Sequence, residues 1–152
     1  MRKFLSLFFG GTLLMVLSAC GQGDVLYVDE AVVNLSPVDG NPSSGYFEVH
    51  GGPEDVELVG VTSDDVVRLE LHETVEENGL TVMQPVKSVP VPAGDTVKFE
   101  PGGKHLMIWG IGNGSISRGS LTMIFIFSND DRIQFDAVVR KMGDPAGSDS
   151  AE

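Results

Sequence analysis

Two histidines and two methionines occur in one stretch of this sequence with a spacing that suits a single metal ion. They are His72, Met83, His105 and Met107, and the stretches between them are ten, twenty-one and one residues long. Imidazole nitrogen and thioether sulfur are borderline to soft ligands, which select monovalent copper and make poor sites for calcium or magnesium. These residue types therefore indicate a copper site.

Strand geometry brings His105 and Met107 together, because side chains two residues apart on a β-strand project from the same face. The segment that ends at His72 alternates in the same way between apolar and polar residues. Its apolar residues are predicted to point inward: Val67, Leu69 and Leu71. His72 is then predicted to lie on the polar face with Arg68 and Glu70, where it should be accessible to solvent.

A β-hairpin is predicted to bring Met83 beside His72. Asn78 and Gly79 form a strong hairpin signal, because a type I′ turn needs positive φ at both central residues. In that register Met83 pairs with Thr74 and is the diagonal neighbour of His72, about 7–8 Å away between backbones. The same register predicts two inward-facing residues, Leu80 and Val82. One cation could then bridge the side chains of His72 and Met83.

Each of these four residues also has an ordinary explanation. A lone surface histidine is usually solvated, and a lone methionine usually fills a gap in a core. The face of Met83 depends, in addition, on the register of the turn. The convergence of all four residues favours the metal site. Met123 and His50 show no such convergence, so we interpret Met123 as core packing and His50 as a residue at the end of a strand.

The spacing of the four residues matches the motif of the periplasmic copper chaperones called PCuAC (DUF461), without a gap. Several phrases of the chain also resemble that family: Gly45-Tyr46-Phe47, Leu58-Val59-Gly60-Val61, Leu71-His72-Glu73, Val91-Pro92-Ala93-Gly94 and Pro101-Gly102-Gly103-Lys104-His105-Leu106-Met107. The resemblance extends over about residues 25–140.

The resemblance implies a cupredoxin-like β-sandwich that binds Cu(I) through His72, Met83, His105 and Met107. It also implies transfer of copper toward the binuclear centre of cytochrome c oxidase, with subunit II of that oxidase or a Sco-type protein as the partner. The chain departs from those members whose His- and Met-rich tail adds a second copper site. Trp109 shares a face with His105 and Met107, and it is expected either to shield a thioether or to pack at a sheet edge.

The N-terminus has the layout of a secretory signal. Arg2 and Lys3 precede an apolar run at residues 4–17. This run is too short, and too much interrupted by glycine and threonine, for a comfortable membrane span. Cys20 follows Leu-Ser-Ala, which resembles the lipobox of bacterial lipoproteins, where cleavage leaves the cysteine as a lipid-modified N-terminus. An ordinary signal that is cut elsewhere is the alternative. By resemblance to lipoprotein sorting, Gly21 favours the outer membrane or the cell surface. We expect a lipoprotein of the cell envelope that faces the periplasm, with the outer membrane favoured.

Acidic residues dominate the charge of the chain. The formal net charge is −12, and removal of residues 1–19 takes away Arg2 and Lys3, which makes it −14. Such a surface repels nucleic acid and anionic lipid and favours basic partners or cations. Solubility alone explains the charge equally well.

The chain is predicted to form one domain. Residues 1–19 are predicted to be the signal peptide, 20–24 a linker, 25–141 the copper-binding β-sandwich and 142–152 a disordered acidic tail. Short runs separated by Gly, Pro, Asn and Asp clusters predict an all-β fold, a Greek-key sandwich or barrel, without a long amphipathic helix. Residues 34–44 and 112–119 are predicted to be polar loops. The predicted strands are Leu26 to Val33, Tyr46 to His50, Val56 to Thr62, Val66 to Val75, Leu80 to Met83, Val86 to Val89, Thr96 to Glu100, His105 to Ile111, Ser120 to Ser128 and Arg132 to Arg140.

Three non-catalytic functions compete for such a chain: a cupredoxin electron carrier, a copper chaperone and a metal-free binding or adhesion module. A cupredoxin electron carrier would need a cysteine ligand in the folded region, and Cys20 is the only cysteine of the chain. Catalysis is not expected, because no Gly-x-Ser-x-Gly elbow, His-Glu-x-x-His or glycine-rich phosphate loop is present. We expect an exported, monomeric copper chaperone with an exposed site. A metal-free β-sandwich that serves as a binding or adhesion module of the envelope is the alternative.

Overall fold

Ten β-strands and one short helix make up residues 25–141, which are the residues that the computed structural model describes. The predicted signal, Cys20, the linker and the acidic tail lie outside the described residues. The elements are β1 (Tyr27–Leu35), β2 (Ser43–His50), β3 (Val56–Thr62), β4 (Arg68–Glu77), β5 (Leu80–Pro85), β6 (Val89–Val91), β7 (Thr96–Phe99), β8 (Lys104–Trp109), α1 (Asn113–Arg118), β9 (Ser120–Phe127) and β10 (Arg132–Lys141).

The ten strands confirm the predicted all-β class, and most of them differ from the prediction by only a few residues at their ends. The strand predicted over residues 86–89 is the exception, because β6 begins only at Val89 and pairs with β3. Val86 is hydrogen-bonded to β4 instead, because its N–H donates to the carbonyl of Leu71 at 2.9 Å. The segment predicted as a loop at residues 112–119 contains α1, which ends at Gly119 in the left-handed conformation.

The strands form one continuous sheet that folds over on itself into a sandwich, in the order β5-β4-β8-β7-β2-β1-β10-β9-β3-β6. The β1–β10 and β7–β8 pairs are parallel. Phe47 on β2 meets Phe125 on β9 edge to face at 4.8 Å, so the inner faces of the two halves are in contact. The predicted β-sandwich is therefore confirmed.

The core follows from the alternation of side chains along the strands. In β2 and β9, alternate residues are buried, as expected where one face of a strand packs inward and the other is partly solvated. Met123 is fully buried, in agreement with its interpretation as core packing. The largest fully buried side chains are Phe47, Phe125, Phe127, Leu58, Leu106, Ile108, Leu121 and Met123.

The hairpin between β4 and β5 forms in the predicted register. Asn78 and Gly79 have φ values of 52° and 76°, as a type I′ turn requires. Thr74 is the partner of Met83. The turn thus determines which face of β5 presents Met83.

The predicted inward orientation of Leu80 and Val82 is wrong, since these side chains are 68% and 37% exposed. Within the described residues, β5 is at the end of the sheet and pairs with β4, and it is exposed along its whole length. A strand beyond the sandwich has no opposing layer, so both of its faces meet water. Val67 is also exposed rather than inward, because it precedes β4. Its N–H donates to the carbonyls of Trp109 and Gly110, and its side chain lies against Gly110.

Replacing Gly79 with alanine is expected to destabilise the β4–β5 hairpin by about 1–2 kcal/mol, because a Cβ is strained in the left-handed region. Space is not the reason, since a Cβ at Gly79 would meet nothing within 4 Å. Amide hydrogen exchange in β5 should accelerate accordingly. Gly60→Ala is the matched control, because its Cβ is equally free and its φ is not positive. Equal exchange in the two variants would contradict the role of the turn.

Candidate metal centre

The four predicted ligands lie on one face of three adjacent strands, β5, β4 and β8. His72 on β4 is the direct partner of His105 on β8, and the ring centroids are 6.0 Å apart. Met107 lies opposite Glu70, two residues along β4 from His72. Met83 lies opposite Thr74, two residues from His72 in the other direction. Because residues two apart share a face, all four side chains project from the same side of the sheet.

The two imidazoles are buried, which contradicts the predicted accessibility of His72. His72 is 8% exposed and His105 is 5% exposed. The physical reason is the position of β4 between β5 and β8, and of β8 between β4 and the β7–β2 region. His72 has a cross-strand partner on each side, Pro85 on β5 and His105 on β8. The alternation of residues therefore predicts the face of His72 correctly but not its burial.

In each imidazole, one ring nitrogen donates a hydrogen bond, and the other nitrogen therefore keeps the lone pair that a metal ion needs. Nδ1 of His105 lies 3.0 Å from the carbonyl oxygen of Gly103. A carbonyl only accepts, so Nδ1 is the donor, and Nε2 of the neutral ring retains a lone pair. Nε2 of His72 lies 3.1 Å from Oε2 of Glu70, which leaves Nδ1 as the lone-pair nitrogen of that ring.

Nδ1 of His72 is buried without a hydrogen-bond partner, and it is the only side-chain nitrogen or oxygen within residues 25–141 of which this is true. An unsatisfied buried polar atom costs about 1–3 kcal/mol. A metal ion bound to this nitrogen would remove that cost. The donor set and this unpaired atom therefore fit a soft metal ion.

The methionines differ in exposure from the histidines. Met83 is 60% exposed on the end strand β5, whereas Met107 is half-buried between β4 and β2. The candidate ligands therefore range from two buried imidazoles to one thioether that is open to solvent.

Trp109 forms one border of this face. It is the partner of Arg68, whose guanidinium lies 3.8 Å from the centre of the indole ring. The indole is tilted against the His72 ring at 6.4 Å. Arg68 also pairs with Glu70 at 3.4 Å. Trp109 thus lies beside an imidazole, and its role toward a bound metal stays a prediction.

The Gly103 carbonyl is a functional group that the sequence did not predict. Its only signal is the Pro101-Gly102-Gly103 turn before β8, which shows that the chain bends but not where a carbonyl points. Glu70, by contrast, was placed on the His72 face by the alternation of β4.

Asp65 ties the region before β4 to α1, which follows β8. Its carboxylate accepts hydrogen bonds from the Ser115 hydroxyl at 2.6 Å and from Arg118 at 2.9 Å. The Ser115 hydrogen bond, and then the Arg118 guanidinium, hold the pKa of Asp65 below its usual range. The backbone carbonyl of Asp65 also accepts from Gly112. These contacts fix the ends of β4 and β8 relative to each other.

Comparison with known proteins places the chain in a family. The family described as lipoprotein LpqE-like matches residues 26–139. A curated relative, the lipoprotein Lxx21020 of Leifsonia xyli, is 47% identical over 55 residues, which cover 36% of this chain and 33% of the relative. The chain thus spans about a third of the length of that relative. Within residues 25–141, no helix is long and apolar enough to cross a membrane.

Two solved structures have a similar fold. One is the copper-bound PCuAC domain from PmoF2, with a TM-score of 0.60 and 18% identity, over 78% of this chain and 97% of that domain. The other is CuI-DR1885 from Deinococcus radiodurans, with a TM-score of 0.63 and 20% identity, over 83% and 85% of the two chains. The chain belongs to the LpqE-like lipoprotein family and has a PCuAC-type fold, which confirms the resemblance drawn from its His and Met motif.

Proposed function

We propose that this protein is a copper chaperone of the cell envelope that binds one Cu(I) ion through His72, Met83, His105 and Met107. The unpaired, buried Nδ1 of His72, beside His105 on the neighbouring strand, is the observation on which the proposal depends. The similar solved structures support it, since one is a copper-bound domain and the other is a Cu(I) form.

The ligand set favours the cuprous ion. Thioether sulfur is a soft ligand that prefers Cu(I), and imidazole binds it as well. A thiolate would bind more tightly but is easily oxidised outside the cytoplasm. Two histidines and two methionines avoid disulfide chemistry, which suits an exported carrier.

The difference in exposure between the ligands suggests how copper leaves the site. Methionine side chains are unbranched and flexible, and Met83 is 60% exposed, so a ligand of an acceptor protein can displace its thioether first. The buried imidazoles of His72 and His105 hold the ion until further acceptor ligands arrive. Release then proceeds by stepwise replacement, and free copper is not exposed to solvent.

The anchor and the recipient follow from the resemblances. Lipid modification of Cys20 would hold the domain at the envelope, with the outer membrane favoured, and the description of the family as lipoproteins supports such an anchor. The recipient is a copper-accepting envelope protein, either subunit II of cytochrome c oxidase or a Sco-type protein. The chaperone acts by binding and transfer, without catalysis.

Titration of the full chain with Cu(I), against a competing chelator, tests this function. The wild-type protein should bind one equivalent, and His105→Ala should weaken binding by about tenfold or more, since even the loss of an outer partner of a metal ligand costs about 10–100-fold. Glu73→Gln is the control, because Glu73 follows His72 in the chain but pairs with Lys104 at 2.9 Å. Equally weak binding in all three proteins would refute the chaperone and favour the metal-free envelope module.

A further inference from the structure

Asp29, Glu48 and His50 form a second group of potential metal ligands, on the outer face of β1 and β2. Their ligand atoms all lie within 4.8 Å of one another. Nε2 of His50 is 2.9 Å from Oδ1 of Asp29 and 3.9 Å from Oε2 of Glu48. Two ligand atoms bound to one ion at about 2.0–2.2 Å lie roughly 3–3.5 Å apart, so these separations need only small movements.

The register of β1 and β2 explains why the three side chains meet. Glu48 and His50 are two residues apart on β2, so they share a face. Asp29 on β1 is the direct partner of Glu48. The pairing of β1 with β2 shifts just after Asp29, where Glu30 has a φ of 51°. These three strand positions are held by backbone hydrogen bonds, independently of the side chains.

The His50 ring is already oriented for binding an ion. The Tyr27 ring stacks on it at 4.1 Å with an angle of 8°. Nδ1 of His50 lies 3.0 Å from the hydroxyl of Thr96, so Nε2 is the nitrogen that faces the two carboxylates. Metal-binding histidines usually have such a partner on their second nitrogen, which fixes the ring and its tautomer.

The charges around the group favour a divalent cation. Lys98 binds Oε1 of Glu48, and that contact, followed by the charge of Glu48, raises the pKa of Lys98. Oε2 of Glu48 remains directed toward His50. With Lys98 protonated, the two carboxylates still leave a net negative charge at the group.

We propose that Asp29, Glu48 and His50 bind a divalent transition-metal ion, of which Zn²⁺ is the test case, at a site separate from the Cu(I) site. One imidazole and two carboxylates suit Zn²⁺, Mn²⁺ or Cu²⁺, and the absence of sulfur from this ligand set disfavours Cu(I). The ion takes the place of the proton between Nε2 and Asp29. The ring proton then resides on Nδ1 and is donated to the Thr96 oxygen.

Calorimetric titration of the full chain with Zn²⁺ tests this site. The expected result is one equivalent of Zn²⁺ that is lost in Asp29→Asn and in His50→Gln. Thr96→Val should weaken the same binding by about 10–100-fold, because the ring loses its partner. Asp136→Asn is the matched control, since it removes one acidic charge from another strand, β10, where Asp136 accepts a hydrogen bond from Thr122. That variant should retain the equivalent.

The four-residue site is distinguished by His105→Ala, which should also retain this equivalent of Zn²⁺. The proposal is overturned if the wild-type protein binds no Zn²⁺, if Asp29→Asn binds it as well as the wild type, or if His105→Ala abolishes the binding. Asp29→Asn keeps the size of the side chain, so it decides the matter should His50→Gln fail to fold. The outcome is independent of whether the chain transfers copper.

Discussion

Replacing both Met83 and Met107 with alanine is expected to weaken Cu(I) binding by at least about 100-fold, because removing one outer partner of a metal ligand already costs roughly 10–100-fold. The two imidazoles that remain suit divalent ions as well as Cu(I), so the preference for Cu(I) should fall. Chelator competition titrations with Cu(I), run with and without Zn²⁺, measure both effects through the Cu(I) that the protein retains, so that Zn²⁺ bound at Asp29, Glu48 and His50 does not enter the result.

Met123→Leu is the control for the double methionine variant. Met123 is fully buried in the core, and leucine is close to it in volume, so the protein should fold and keep its Cu(I) affinity. An unchanged Cu(I) affinity in the Met83 and Met107 double variant would show that the thioethers are not ligands. In that case the copper proposal would lose its soft donors.

Met123→Ala is expected to lower the free energy of unfolding by about 2–5 kcal/mol, the range found when buried Leu, Ile or Met side chains are cut back to alanine. The loss combines the removed apolar contacts with the cavity that remains between the halves of the sandwich. Urea denaturation followed by circular dichroism measures the change.

Met83→Ala is the matched variant for stability, because Met83 is 60% exposed and its loss should change the free energy of unfolding by less than about 0.5 kcal/mol. Loss of the Met123 side chain is thus expected to affect the stability of the fold, whereas loss of the Met83 side chain is expected to affect copper binding. Similar denaturation midpoints for the two variants would contradict the core position of Met123.

The hairpin shows how far sequence patterns predict this protein. Asn78 and Gly79 allow one tight turn, and that turn fixes the pairing of Met83 with Thr74. The two-residue spacing of His105 and Met107 places both of these candidate ligands on one face of β8, and the pairing of β8 with β4 makes it the face of His72. These predictions succeed because they depend on local backbone geometry, which a few residues determine.

Burial was predicted less well, because it depends on the neighbours of each strand in the sheet. His72 was expected to be accessible and is buried between β5 and β8, whereas Leu80 was expected to be inward and is exposed at the end of the sheet. The group of Asp29, Glu48 and His50 could not be foreseen for the same reason, since it needs the pairing of β1 with β2. Alternation gives the face of a side chain but not what covers that face.

The two-residue turn at Asn78 and Gly79 would make the proposed copper binding sensitive to the length of the chain as well as to its composition. Successive residues of a strand point to opposite faces, so an insertion that slips β5 by one position would move Met83 to the far side of the hairpin. The proposed site would then lack the sulfur of Met83, although all four candidate ligands are still present in the sequence. Homologous chains with a longer turn would need a different residue of β5 in that position.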